Sequence, residues 1–214
     1  MRVGLSLALA TSAALAAEKP IITYKAPPSG EDDRPVITQV VFSPQGSDYA
    51  FRIEFDKAPW GETCRSRCAN ATLFLDADNN RSTGLKLADP KAAETGADLA
   101  ITIQGVRELA SAKAVLKVKL TQFGEEATST EQGSTLAELT PTDGERMLAE
   151  GTSVYLLIDA SLGNLPTGPK VRVVYHPPDS KPLSGVGKGL AAPASSRVEI
   201  FKDGKLSNPV KPRR

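Results

Sequence analysis

Oxygen-bearing side chains occupy alternate positions directly after the apolar segment that ends at Leu75. They are Asp76, Asp78 and Asn80, each separated from the next by one residue. Alternate spacing lets the three side chains converge while the intervening residues point away. Oxygen donors at positions 1, 3 and 5 of a loop suit Ca²⁺, which takes about six to eight oxygens in all. The loop therefore predicts a calcium site to which it supplies three side-chain ligands.

The remaining side-chain ligand of this site has to come from outside the loop. The EF-hand arrangement does not fit, because it requires Gly at position 6 and Glu at position 12, where this chain has Arg81 and Leu87. Asp98 is the best candidate, since it opens the next predicted strand. The end of one antiparallel strand and the start of the next lie at the same edge of a sheet, which brings Asp98 towards Asp76. Weaker candidates lie in the connecting loop: Asp89 and Glu94.

A solvated turn is the alternative interpretation of the same loop. Asp and Asn are common in turns because their side chains accept hydrogen bonds from nearby backbone groups. The location of the protein helps to decide between a calcium site and a solvated turn. An extracellular location favours the calcium site, because calcium is abundant enough there to fill weak sites. The compartment of the protein therefore bears directly on the calcium prediction.

The first 17 residues have the pattern of a secretory signal peptide. Arg2 precedes an apolar run over residues 3–10, and Ala14-Leu15-Ala16 supplies the small-residue pattern of a cleavage site. The run is shorter than the about 20 residues that a membrane-spanning helix needs. We expect cleavage after Ala16 or Ala17, and a secreted or periplasmic protein with no integral membrane segment after cleavage.

The two cysteines of the chain, Cys64 and Cys68, are separated by three residues. Export makes a disulfide between them plausible, since disulfides persist in oxidising compartments. Redox-active pairs, the alternative, usually have two intervening residues. Closing so short a loop contributes about 2 kcal/mol in the chain-entropy model. We therefore predict a structural disulfide that pins a turn.

Alternation of apolar and polar residues dominates the chain after residue 35. Tyr49, Phe51, Ile53 and Phe55 alternate with polar or small residues, which is typical of a strand with one buried face. No stretch has a sustained helical period, and residues 147–149 allow one or two helical turns at most. The pattern predicts about eight strands, within these segments: 36–42, 49–55, 71–75, 99–103, 116–120, 154–158, 171–175 and 197–201.

Short strands without intervening helices predict an all-β fold, an antiparallel β-sandwich of about eight strands with little helix. A β-barrel is the alternative architecture. Along the chain we expect one sandwich domain, with two long loops at 122–140 and 177–196 that are rich in polar residues, Pro and Gly. The predicted divisions are a signal peptide (1–17), an irregular leader (18–35), the sandwich domain (36–204) and a basic tail (205–214).

The strings LFLDADNNRSTGLK and GADLAITIQG add a resemblance to a known group. They resemble exported β-sandwich domains of the DOMON-like and family 9 carbohydrate-binding-module-like group, over residues 71–104. The resemblance implies a sandwich fold and a calcium ion held by the positions that match Asp76, Asp78, Asn80 and Asp98. The group includes carbohydrate binders, so a glycan becomes a candidate partner.

The composition and the absence of common catalytic motifs reduce the number of function classes that fit this sequence. The formal net charge of +1 argues against a nucleic-acid binder, and a single His excludes most His-based catalysis. No Gly-x-Ser-x-Gly nucleophile motif is present. Trp60, the single tryptophan, either stacks on a sugar ring as a ligand contact or covers the end of the sandwich. We therefore expect a non-catalytic, calcium-binding module for glycan or another envelope component. The alternatives are a structural or adhesion module with a protein partner and, a distant third, an enzyme.

Overall fold

The computed structural model describes residues 18–26, 34–60, 68–107, 114–141, 146–178, 180–190, 201–202 and 205–206. Two 3₁₀ turns, Thr130–Gln132 and Leu162–Asn164, are the helical elements in these ranges. The strands are β1 (Ile22–Thr23), β2 (Ile37–Gln45), β3 (Asp48–Phe55), β4 (Asn70–Asp76), β5 (Leu99–Arg107), β6 (Ala114–Gln122), β7 (Ser134–Leu139), β8 (Met147–Glu150), β9 (Ser153–Asp159), β10 (Lys170–Tyr175), β11 (Leu183–Lys188), β12 (Phe201–Lys202) and β13 (Lys205–Leu206).

Two antiparallel sheets pack face to face. The first has five strands in the order β1-β2-β3-β9-β8, and the second has six in the order β11-β10-β4-β5-β6-β7. The predicted antiparallel β-sandwich is therefore confirmed. Strands β12 and β13 pair with each other as a separate two-stranded sheet.

The core lies between the inward faces of the two sheets, as alternation requires. On β3 the inward residues Tyr49, Phe51, Ile53 and Phe55 are at most 3% exposed. On β5, Leu99, Ile101 and Ile103 are fully buried from the opposite sheet. Burying a large apolar side chain stabilises the fold by about 1.5–3 kcal/mol relative to leaving it exposed, so these alternating faces hold the sheets together.

The sandwich has more strands than the sequence pattern predicts. Strand β1 lies within the predicted irregular leader, and β7 and β11 lie within the two predicted long loops. All three are edge strands of their sheets. Edge strands need less apolar alternation, because one edge and part of one face meet solvent. Backbone hydrogen bonds to the neighbouring strand stabilise them instead.

Residues 147–149 belong to strand β8, so the helical turn considered for them does not form. Met147 pairs with Leu156 on β9 and is 1% exposed, which places its side chain in the core. An apolar run this short has no distinguishable period, and the tertiary pairing decides its conformation. The predicted strand at 197–201 lies mainly outside the described residues.

Among the described residues, no helix is long and apolar enough to cross a membrane.

Candidate metal centre

Neighbouring strands bring the predicted ligands to one end of the second sheet. Strand β4 ends at Asp76, and its neighbour β5 begins at Leu99, which pairs with Leu75. The backbone NH of Asp98 donates to Leu75 O at 2.8 Å, and the backbone NH of Ala77 donates to Asp98 Oδ2 at 2.8 Å. These two hydrogen bonds fix Asp98 beside the end of β4, as the antiparallel pairing predicted.

Carboxylate oxygens of Asp76, Asp78 and Asp98, one from each residue, all lie within 4.8 Å of one another. Ca²⁺–oxygen distances of about 2.3–2.6 Å separate opposite ligands by at most about 5 Å, so these three oxygens can contact one ion. Asp76 is 1% exposed and Asp98 is 4% exposed. Two buried carboxylates together with the half-buried carboxylate of Asp78 have the composition of a cation site.

Hydrogen bonds within the loop hold the carboxylates in place. The backbone NH of Asn80 lies 2.9 Å from Asp76 Oδ1 and 2.9 Å from Asp78 Oδ1, and donates to both. The Thr83 hydroxyl lies 3.1 Å from Asp78 Oδ1. Gly84 follows with a φ of 59°, and a Cβ there would lie 2.3 Å from Ala97 O. The loop therefore folds back tightly enough to require a glycine at its end.

Asn80 enters this arrangement through its backbone. Its side-chain Oδ1 accepts hydrogen bonds from the backbone NH and the hydroxyl of Ser82, at 3.1 and 2.6 Å, and the residue is exposed. A ligand role for the Asn80 amide stays a prediction. The weaker candidates have other partners, since Asp89 Oδ1 accepts from the backbone NH of Lys91 and Glu94 pairs with His176.

A buried arginine that the sequence analysis missed completes the cluster. Arg172 on β10 stands directly opposite Asp76 on β4, and its Nε and Nη2 lie 3.0 and 2.7 Å from Asp76 Oδ2. Its Nη1 and Nη2 also donate to the main-chain oxygens of Ala93 and Thr95, at 2.7 and 2.5 Å. The alternation of β10 places Arg172 on the outer face of the sheet. However, no spacing in the sequence indicates that Arg172 lies opposite Asp76.

Burial and mutual repulsion shape the electrostatics of the site. The pKa of Asp98 is raised to about 7, chiefly by burial and also by the charges of Asp78 and Asp76, against the hydrogen bond from the Ala77 NH. Burial also raises the pKa of Asp76, while its hydrogen bonds to Arg172 and Asn80 oppose the change. Burial raises the pKa of Tyr49 to about 12, with the Asp98 and Asp78 charges as further causes. A divalent cation at this position would offset the cost of burying negative charge, which is the largest cause of all three shifts.

The charge of the cluster matches a divalent ion. With all three carboxylates ionised, as metal binding requires, they carry −3 and the Arg172 guanidinium carries +1, which leaves −2. A single divalent cation would neutralise that charge, and buried charges are costly unless they are paired. The donor set, oxygen throughout, is of the kind that Ca²⁺ and other hard cations prefer.

The remaining predicted site residues lie elsewhere. Trp60 is half-buried and packs against the main core, which fits the lid interpretation. The carbonyl oxygen of Pro59, beside it, accepts a hydrogen bond from the backbone NH of Ala69, which precedes β4 at the opposite end of that strand from Asp76. Cys64 lies outside the described residues, so its predicted disulfide with Cys68 stays a prediction.

The fold and the cluster define a two-sheet antiparallel β-sandwich with a buried acidic site at one end. No protein-family model, no curated protein and no solved structure matches this chain.

Proposed function

We propose that this protein is a non-catalytic, exported β-sandwich that binds Ca²⁺ through Asp76, Asp78 and Asp98. The observation that carries the proposal is the convergence of three carboxylate oxygens within 4.8 Å at a largely buried position. The ion joins the end of β4, the start of β5 and the loop between them. Its role is to stabilise the fold, with Asn80 as a further predicted ligand.

Thermal unfolding with calcium and with chelator tests the metal site. A ligand that binds the native state alone stabilises it by RT ln(1 + [L]/Kd), about 2.7 kcal/mol at a hundredfold excess over Kd. We expect calcium to raise the melting temperature of the wild-type protein. Isothermal titration of the metal-free protein with Ca²⁺ gives the stoichiometry, for which we expect one ion per chain.

Single substitutions connect this effect to the cluster. Asp98→Asn keeps an oxygen that can accept the hydrogen bond from the Ala77 NH, so the variant keeps its local structure while losing a charge. We expect Asp98→Asn and Asp78→Asn to weaken calcium binding at least about tenfold, a loss of about 1.4 kcal/mol. Asp89→Asn is the matched control, because it removes an acid of the same loop that lies outside the cluster. Equal calcium affinity in all four proteins would overturn the proposal.

The larger role that we propose for the module is binding of a glycan or another envelope component. Support comes from the resemblance over residues 71–104, while the half-buried Trp60 argues against a fully exposed aromatic platform. Titration with soluble polysaccharides, followed by the fluorescence of this single tryptophan and by calorimetry, tests it. Binding of a polysaccharide with a measurable heat supports the glycan role. Failure of every polysaccharide tested, with the calcium effect intact, would remove the glycan and leave the metal site standing.

A further inference from the structure

Residues 21–24 lie along one side of the sandwich, where the edges of both sheets meet. Within β1, Ile22 stands opposite Val40 of β2. The backbone NH of Ile21 donates to Val40 O at 2.8 Å, and the backbone NH of Tyr24 donates to Thr38 O at 2.7 Å. These bonds attach the segment to the first sheet.

Two glycines of β11 allow the second sheet to approach this segment and the neighbouring strand β2. A Cβ at Gly185 would lie 2.0 Å from the carbonyl oxygen of Ile21, and a Cβ at Gly187 would lie 2.8 Å from Phe42 Cδ1. The backbones of β11 and residue 21 therefore approach more closely than any side chain at position 185 would allow. At Gly185 this contact is made by the main chain of β11.

The side chains of the segment cover part of the core. Ile22 is 4% exposed and belongs to the main apolar cluster. The Tyr24 ring meets Tyr175 edge to face, with centroids 6.4 Å apart, and its hydroxyl donates to Pro178 O at 3.4 Å. Residues 21–24 thus contact β2 on one sheet and both β11 and the end of β10 on the other.

We propose that residues 21–24 form a releasable clasp, a segment that opens as a unit and uncovers one side of the core while the two sheets stay folded. A two-residue strand has few hydrogen bonds to break, whereas β3 pairs along its length with β2 and β9. Segments with few cross-strand bonds at an edge open locally at a lower free energy than central strands do. Opening removes Ile22 and Tyr24 from their contacts with the core.

Hydrogen exchange of the wild-type protein tests the clasp directly. We expect the amides of Ile21 and Tyr24 to exchange at least about tenfold faster than the hydrogen-bonded amides of β3 and β9 under native conditions. Exchange should also respond little to low denaturant, since local opening exposes little surface. Exchange of these two amides at the rate of the β3 and β9 amides would overturn the proposal.

A glycine substitution tests the same idea by a second route. In Gly185→Ala the new methyl group meets the Ile21 carbonyl, so we expect the clasp to be displaced and trypsin to cleave after Lys25 about tenfold faster than in the wild type. Gly124→Ala is the control, because a Cβ there meets nothing within 4 Å. The amides of β3 and β9 should stay protected in Gly185→Ala. Equal cleavage after Lys25 in Gly185→Ala and in the control would contradict the clasp, and so would loss of β3 and β9 protection together with that of residues 21–24. Neither readout involves the metal, so this result is independent of the proposed function.

Discussion

At the scale of single residues, the Arg172 guanidinium makes four hydrogen bonds, of which two reach Asp76 Oδ2 and two reach main-chain oxygens of the loop between β4 and β5. Arg172 is 6% exposed and Asp76 is 1% exposed. Removing one partner of a buried ion pair leaves the other charge uncompensated, which costs more than the pair itself contributes. The arginine therefore attaches the Asp76 carboxylate to the loop between β4 and β5, with or without an ion.

Arg172→Met should lower the free energy of unfolding by about 3–5 kcal/mol, because it leaves the buried carboxylate of Asp76 without its guanidinium partner. Urea denaturation of the metal-free protein measures the change. Arg81→Met is the control, since the Arg81 guanidinium reaches the carbonyls of Pro90 and Ala92 at a long 3.4 Å on the exposed side of the same loop. We expect that control to change stability by less than about 1 kcal/mol. Equal changes in the free energy of unfolding for the two substitutions would show that the buried pair of Arg172 and Asp76 does not determine stability.

At the scale of elements, the site depends on how closely the loop after β4 packs against the residues before β5. Gly84 and Gly46 share nearly the same left-handed backbone, with φ values of 59° and 62°. A Cβ at position 84 would lie 2.3 Å from Ala97 O and 2.9 Å from Asp98 Oδ1, whereas a Cβ at position 46 meets nothing within 4 Å. The two glycines therefore separate the cost of backbone strain from the cost of displacing the site.

Gly46→Ala should destabilise the protein by about 1–2 kcal/mol, the cost of a left-handed conformation for an L-residue. Gly84→Ala should destabilise it further, because its methyl group also pushes Ala97 and Asp98 away from the loop. Calcium affinity should fall in Gly84→Ala and stay at the wild-type value in Gly46→Ala. Urea denaturation and calorimetric titration measure both effects. Identical calcium affinity in the two variants would show that the loop packing does not shape the site.

The features of this arrangement that depend on local patterns could be predicted from the sequence. The alternation of β3 and β5 determines which face is buried, and the succession of β4 and β5 brings Asp98 to Asp76 by chain connectivity alone. The contact of Arg172 with Asp76 could not be predicted, because it depends on the pairing of β10 with β4, and the two residues are 96 positions apart in the chain. The short edge strands β1, β7 and β11 were missed because their residues alternate weakly and the neighbouring strand supplies the order.

At the scale of the whole molecule, the two sheets close over phenol groups that have little access to water. Tyr175 is 2% exposed, and its hydroxyl accepts a hydrogen bond from the backbone NH of Ile37 at 3.2 Å. Burial raises the pKa of Tyr175 to about 12, as it does that of Tyr49. The folded state therefore keeps protons on both tyrosines at a pH where the unfolded chain releases them.

Stability should fall as the pH rises from 10 to 12, because over that interval the unfolded state binds fewer protons than the native state. Well below pH 10 the tyrosines are protonated in both states and contribute no pH dependence. Each buried tyrosine contributes a slope of at most about 1.4 kcal/mol per pH unit. Urea denaturation at several alkaline pH values measures the slope. Tyr175→Phe should have a shallower slope than the wild type, and an unchanged slope would contradict the assignment.

Trp60 and the acidic cluster lie at opposite ends of β4, a strand of seven residues. At about 3.3 Å per residue the two ends are on the order of 20 Å apart. Tyr49, by contrast, is close enough to Asp98 and Asp78 for their charges to affect its phenol. A luminescent lanthanide bound by the carboxylates would thus be excited through a tyrosine, while the emission of the indole independently monitors the far end of the two-layered fold.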